Sequence, residues 1–587
     1  MMDTNKLIRL LLLSVGITIY LYFLKPKPNV PPPAVPGIKD GIASVLSKAK
    51  PSMANTPFAQ LPVQKEKYVT IENEHMQVLL STKGGMIKKV MLKKHKDQEG
   101  KMLVLLDEQS NYMELLIPYK DAMIPTSSLY FQPPSDSNYH LTKDQRTTIS
   151  FRLPITPSQY VEQSFEFIGN SYEINYTWKM VGMEDYLNKD NAISFYWQMD
   201  LKRLELDDKD FSKSTINYYL SDETFDGLKE TKSETKHIAK PMKWVAIKQC
   251  FFSSAIVADD LFTKGDLHIE TIPSSKEVAK TAILSLVASK RDTAQGSGGF
   301  KFFFGPNVHN LLKKVSKGFE KNLPLGWTLV RWVNTGLTMP LFSFLEKHIS
   351  NYGIIIFLMV IILKLLLLPL SYKSYKAMVT MRIIKPELDK IKEKHGNNLQ
   401  KVQTEQLLLY KELGINPLSG SMPLLLQMPI LLAMFNFFPN MVSFRQVPFL
   451  WAKDLSTYDR ILSLPFTIPV YGNHVSLFTL LMVASTILYT KATNPSSNDV
   501  KGVMKGLSYI MPITFMFMLN SFPAGLSFYY FVSNMITFLQ QKLINAFSNE
   551  ESIKSELLFK QKNLKERDKP SFSSRVSEAI QFSKKKK

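Results

Sequence analysis

The run from Tyr352 to Ser371, YGIIIFLMVIILKLLLLPLS, sets the architecture. Its 20 nearly unbroken apolar residues suffice for a helix to cross the hydrocarbon core of a bilayer. Lys364 breaks the pattern, near the middle of the predicted span and with apolar neighbours on both sides. A charge there costs roughly 2.5–3.5 kcal/mol on insertion scales, so a sequence that keeps it has a use for it. The predicted end of the span lies seven residues on. That is roughly 10 Å at 1.5 Å per residue, farther than a snorkelling lysine stem covers.

Downstream, residues 372–421 carry nine Lys/Arg against five acids. Met378, Met381, Ile384, Leu388 and Ile391 recur at helical spacing, Gly396-Asn-Asn breaks the chain, and Leu399, Val402, Leu409 and Leu413 form a second stripe. This predicts a basic helical hairpin, cytoplasmic by the positive-inside rule. Leu424–Phe444 and Val475–Thr490 read as further spans. Gly506 to Gln541 holds no Lys, Arg, Asp or Glu and is broken at Pro523-Ala-Gly525, which predicts two more. Residues 548–587 form a basic tail. No acid lies in any predicted span, so Lys364 has no intramembrane counter-ion. Its expected company is Gln427, Asn436, Ser485, Thr486, Asn520, Tyr530 and Asn534. Taken singly, such side chains are also what hydrogen-bonds one helix to another.

Upstream, Leu323–Lys347 is too polar to span and suits an amphipathic helix at the interface, with Trp327 and Trp332 at headgroup level. Residues 63–310 change period to two. Tyr172, Ile174, Tyr176, Trp178 and Met180 alternate with polar residues, and Phe165 and Phe167 precede a turn at Gly169-Asn170. Similar runs at Tyr68–Leu80, Ile193–Leu206 and Ala282–Ala288 predict a large antiparallel sandwich. Pro26 to Pro62 reads as an extended tether. Leu7 to Leu24 reads as an uncleaved anchor, since no small-x-small cleavage site follows it. The expectation is a polytopic α-helical membrane protein of six spans, with a large all-β domain between spans 1 and 2. Its parts are an anchor (1–25), a linker (26–62), the sandwich (63–310), an interfacial helix (311–350), a five-span core (351–547) and the tail.

Bulk properties agree. The chain has 587 residues, 45% hydrophobic content and a net charge of +21, and its mean hydropathy of −0.07 requires a sizeable soluble part. The single cysteine, Cys250, excludes an internal disulfide and a cysteine zinc site. His237, His268 and His309 lack metal-ligand spacing, and no nucleophile or phosphate-loop motif is present. Asp207-Asp208 and Asp259-Asp260 read as solvated loop charges. No cofactor, metal or enzymatic activity is expected. A solute transporter would show internal repeats and intramembrane acids. An anchored carbohydrate-active enzyme would show sugar turnover by residues 63–310.

The chain resembles the YidC-type membrane protein insertase family in its bacterial six-span form. The shared segments are Thr82-Lys-Gly-Gly85, Trp244-Val-Ala246, Gly305-Pro306 and Leu325-Gly-Trp327, then Met381-Arg382, Lys385-Pro386, Leu409-Tyr410-Lys411 and Asn416-Pro-Leu418. They continue with Gln427-Met-Pro-Ile430, Arg445-Gln446, Pro448-Phe449, Asp454-Leu-Ser456, Phe522-Pro523, Gly525-Leu526, Tyr529-Tyr530 and Val532-Ser-Asn534. The resemblance implies a hydrophilic groove inside the bilayer, open to cytoplasm and lipid. It also implies an outer β-sandwich akin to sugar-mutarotase folds, and a cytoplasmic hairpin that receives substrate. The hairpin residues concerned are Met378, Met381, Arg382, Lys385 and Tyr410. The family's groove carries a basic residue, usually arginine; here the matching position is Lys364, which keeps the charge without the planar fork. The implied partners are nascent membrane proteins and the Sec translocon. The ribosome and anionic lipids are further candidates for the basic hairpin and tail.

Overall fold

The computed structural model describes residues 56–119, 122–183, 192–205, 213–272, 275, 277–396, 398–413, 422–493, 514 and 516–547, with 551, 555 and 559. The expected anchor at Leu7–Leu24 and most of the linker lie outside these residues. The chain forms two compact units, one centred on Lys27–Pro324 and one built from Leu325–Pro439 and the residues from Ser443 onward.

The first unit follows from strand alternation. In Glu173–Val181 the side chains of Ile174, Tyr176, Trp178 and Met180 are buried. This strand pairs antiparallel with Tyr160–Ile168 around the expected turn. Both belong to an eight-stranded sheet. A six-stranded sheet contains Asn111–Tyr119, Ser194–Lys202 and Val278–Val287. Aromatic rows from the two sheets meet face to face, with Phe195 4.9 Å from Phe300 and Trp197 6.2 Å from Phe302, ring to ring. The architecture is the expected sandwich, extended by a five-stranded sheet that starts at Tyr68. There the single predicted run divides into Tyr68–Glu72 and Met76–Ser81. Asn73 makes the turn, its Oδ1 accepting from the amides of His75 (2.9 Å) and Met76 (2.8 Å).

This unit runs past residue 310 to Pro324. The helix His309–Val315 and the turn Phe319–Asn322 fold back on the strands. The Phe319 ring lies 4.9 Å from Trp244, and Asn217 donates to Asn322 at 3.0 Å. Residues 311–324 therefore go with the sandwich rather than with the interfacial helix.

In the second unit Thr328–Val333, a π-helical turn at Asn334–Thr338, and Met339–Glu346 form the expected amphipathic segment. Val330 and Val333 pack with Ala433. Trp327, just before the helix, and Trp332 within it are left 62% and 68% exposed. The lysine helix then runs Tyr352–Leu366, opened by Asn351, whose Oδ1 accepts from Ile354 N at 3.2 Å. Gly353 lets Phe449 pack on its backbone; a Cβ there would sit 2.1 Å from the ring.

The predicted span is not one straight helix. It stops at Leu366, and Leu368–His395 continues after a 56° bend. Pro369 is the cause: it has no N–H to offer Leu365, and its ring would crowd that carbonyl in a continuous helix. Lys364 consequently lies in the last turn of its helix, not at mid-span. No single described helix is long and apolar enough to cross a membrane; this bent pair meets the requirement together, and Leu477–Thr490 is a shorter apolar helix. The helix of the third expected span, Met422–Phe437, has 16 residues. Most of 506–515, on which the fifth span was expected, lies outside the described residues.

The expected hairpin is Leu368–His395 and Leu399–Glu412. Ile384, Leu388 and Leu413 bury a small core between the two helices, with Met381, Leu409 and Tyr410 against it. A feature without a counterpart in the sequence reading is a two-stranded β-hairpin, Leu462–Ile468 paired with Gly472–Val475, just before the helix Leu477–Thr493.

Candidate substrate groove

Four helices of the second unit place side chains around one partly open cavity of about 130 Å³. The lysine helix contributes Leu363 and Lys364, and Met422–Phe437 contributes Gln427, Met428, Ile430 and Leu431. Tyr489 comes from Leu477–Thr493. The last helix, Ala524–Phe547, adds Tyr529, Tyr530, Ser533, Asn534 and Thr537. Tyr530, Ser533, Asn534 and Thr537 follow the i, i+3, i+4, i+7 spacing of one helix face. The volume holds several waters, and the lining is polar enough to bind them.

Lys364 is the one charged side chain among the lining residues. It is half-buried, and among the described residues its ammonium has neither a hydrogen-bond partner nor a counter-ion. The amide of Gln427 is likewise unbonded among them. Tyr530 is held in place: its hydroxyl donates to the Leu431 carbonyl at 2.9 Å, tying the last helix to Met422–Phe437. Asn534 spends its amide hydrogens on Thr486 Oγ1 (2.8 Å) and Ser485 Oγ (3.1 Å).

Of the eight groove residues expected from sequence, four line the cavity: Lys364, Gln427, Tyr530 and Asn534. Ser485 and Thr486 stand behind Asn534 as helix-to-helix partners, each hydroxyl also donating to the Met482 carbonyl at 2.7 Å. Asn436 and Asn520 do not line it. Asn436 donates to Leu432 O within its own helix at 2.8 Å. Asn520 is fully occupied at the base of the β-hairpin, donating to Tyr471 O (3.0 Å) and His474 O (2.8 Å) and accepting from Ser476 N (3.0 Å). Polarity inside an apolar run flagged all eight, but only helix phase separates lining from latch. That phase also reveals the residues not anticipated: Tyr489, Tyr529, Ser533 and Thr537.

On the hairpin, Met381 and Tyr410 help close the core, and burial raises the Tyr410 hydroxyl above its ordinary pKa. Arg382 is exposed and Lys385 half-buried on the same helix. The Met378 side chain lies outside the described set. Glu405 bridges the two helices, accepting from Lys394 Nζ and from His395 Nε2, each at 2.7 Å. The bond from Lys394, then that from His395, hold the carboxyl below its usual pKa. In the sandwich, His237 pairs with Asp266 at 2.6 Å, and His268 with Thr235 at 2.7 Å.

Two family models match, "60Kd inner membrane protein" over residues 344–551 and "YidC periplasmic domain" over residues 68–344. A protein of Amoebophilus asiaticus named membrane protein insertase YidC is 45% identical over 99% of both chains. The chain belongs to the YidC membrane protein insertase family. Relatives of the same name in Cytophaga hutchinsonii and Parabacteroides distasonis are 37% and 33% identical, over 96% and 98% of this chain and 94% and 97% of theirs. The sandwich is thus the periplasmic domain of a YidC-family protein, and the residues lining the cavity all fall within the stretch that matches the 60Kd inner membrane protein model. A galactose mutarotase-like protein from Lactobacillus casei aligns with 41% of this chain and 100% of its own at 9% identity. Its TM-score of 0.27 is too low to carry the expected likeness to mutarotase folds.

Proposed function

We propose that this chain inserts nascent membrane proteins into the bacterial inner membrane, receiving them in the Lys364 cavity and releasing their apolar segments sideways into lipid. It crosses the membrane six times, with both termini and the basic hairpin in the cytoplasm. The observation that carries the reading is an ammonium, without a partner among the described residues, in a partly open cavity whose lining mixes hydroxyls and amides with apolar side chains. Each charged residue of a client would face several kcal/mol in bare hydrocarbon. A wet cavity shortens that barrier, and Lys364 attracts the acidic groups of the translocating segment. The hairpin, with Met378, Met381, Arg382, Lys385 and Tyr410, meets the client first. The basic tail touches the ribosome and anionic lipid, and the protein works alone or beside the Sec translocon. No covalent step is required: apolar burial of the client drives release.

A stalled nascent chain tests this. Photo-crosslinkers at Gln427 and Tyr530 should capture the client's first apolar segment, whereas one at Asn520, outside the cavity, should not. Equal capture at all three positions, or capture at none, contradicts the reading.

A further inference from the structure

Ile461 to Val475, ILSLPFTIPVYGNHV, contains no Lys, Arg, Asp or Glu. Its first strand is exposed on both faces: Ile461, Leu462 and Phe466 stand out, with Phe466 61% accessible. Apolar surface in water costs about 25 cal/mol per Å², and a contiguous exposed patch marks an interaction site. The patch is firmly mounted. Besides the Asn520 bonds, His474 Nε2 lies 2.9 Å from Asn520 O and the His474 ring stacks on Tyr458 at 3.6 Å. Ser476, at the hairpin's end, accepts from Thr479 N at 3.1 Å and so caps the apolar helix Leu477–Thr493. Asp459 accepts from Phe478 N at 3.0 Å and from Trp451 Nε1 at 2.8 Å. The exposed strand therefore leaves the unit where an apolar helix begins. In the stretch leading into it Leu450 and Trp451 are exposed, and Arg460 lies 5.4 Å over the Tyr458 ring, the aromatic and basic mixture of a membrane interface.

We infer that the Leu462–Val475 hairpin rests on the lipid surface, laying Ile461, Leu462 and Phe466 into the headgroup boundary of the outer leaflet. The inference uses the membrane placement of the neighbouring helix proposed above. Two features favour lipid over a partner strand. Pro465 within the strand and Pro469 directly after it lack backbone donors, which blunts the strand for strand addition. The ladder also lapses between Ser463 and Ile468. What this strand offers is side chains, not hydrogen bonds. Its unpaired backbone equally bars it from the hydrocarbon centre, where such groups find no water, so it belongs at the boundary, roughly 5–10 Å deep.

The test uses the full chain in vesicles of phosphatidylethanolamine and phosphatidylglycerol. Cys250, the one cysteine and a buried one, is replaced by serine. The environment-sensitive fluorophore NBD is attached through Phe466→Cys or, separately, through Leu488→Cys on the exposed side of the neighbouring helix. The expected result is quenching at 466 by brominated lipid, greater for bromines near the ester linkages than for those at the chain ends, with quenching at 488 as well. Quenching at 488 with water-like, unquenched emission at 466 overturns the hairpin inference alone. No quenching at either site overturns it together with the membrane placement of the helix. Disulfide-linked dimers through unlabelled position 466, with the labelled site unquenched, overturn it in favour of a second copy.

Discussion

Two lysines set the halves of this protein apart. Lys280, in the sandwich, is 2% exposed, and its ammonium donates to Ser214 O at 2.5 Å and Glu230 O at 2.6 Å. Lys364, in the helical unit, faces a cavity and has no such partner among the described residues. The first is a buried charge that the fold has satisfied, and the second is one that the fold has left open. A buried polar group without a partner costs stability. In the sandwich two carbonyls offset part of that cost, whereas the helical unit bears it at the cavity proposed above to receive a client.

The largest effect that sharpens the contrast lies in the sandwich core. Phe302 is fully buried between Tyr176, Phe195 and Trp197. Phe302→Ala should cost about 3–5 kcal/mol, read by denaturant unfolding followed through tryptophan fluorescence. Next comes Lys280. Burial pulls its pKa down to about 8, so the folded state holds this proton less tightly than the unfolded chain. The group should therefore add stability as pH rises from about 8 toward its ordinary value, and withdraw it as pH falls back through 8. Lys280→Met should flatten that slope and leave two carbonyls without their donor, at about 1–3 kcal/mol. The opposite sign is expected at Lys364: Lys364→Met should raise the unfolding midpoint of the helical unit while reducing insertion, the trade between stability and activity seen where a site is strained for use.

Smaller effects probe the polar glue. Asn534→Ala removes the bonds to Ser485 and Thr486 and should cost only about 0.6 kcal/mol per bond, measured by unfolding in detergent or lipid. The smallest is at the hairpin. Glu405→Gln should speed amide exchange in residues 388–405, and the wild type should match it as pH falls below the lowered Glu405 pKa, because the link is present above that point and lost beneath it.

The sandwich was legible because alternation has one meaning: Ile174, Tyr176, Trp178 and Met180 all face inward as their period requires. The helical half was legible in kind and less so in detail. An apolar run gives length but not straightness, and Pro369 divides the expected span after Leu366. Polar residues in such runs give suspects but not phase. That is why Asn520 proves to be a latch and Asn436 a bond within its own helix, while Ser533 and Thr537 enter the lining. The Leu462–Ile468 strand carried its own signal, an apolar residue at every second position from Leu462 to Ile468 ahead of a Pro-Val-Tyr-Gly turn. It was hidden by the stronger apolar helices beside it.

The most direct measurement compares insertion of two clients, identical except for acidic or neutral translocated segments, by wild type, Lys364→Ala and Lys364→Arg in reconstituted vesicles. A working open charge predicts that alanine impairs the acidic client far more than the neutral one and that arginine restores it. Equal insertion of both clients by the alanine variant would contradict the account.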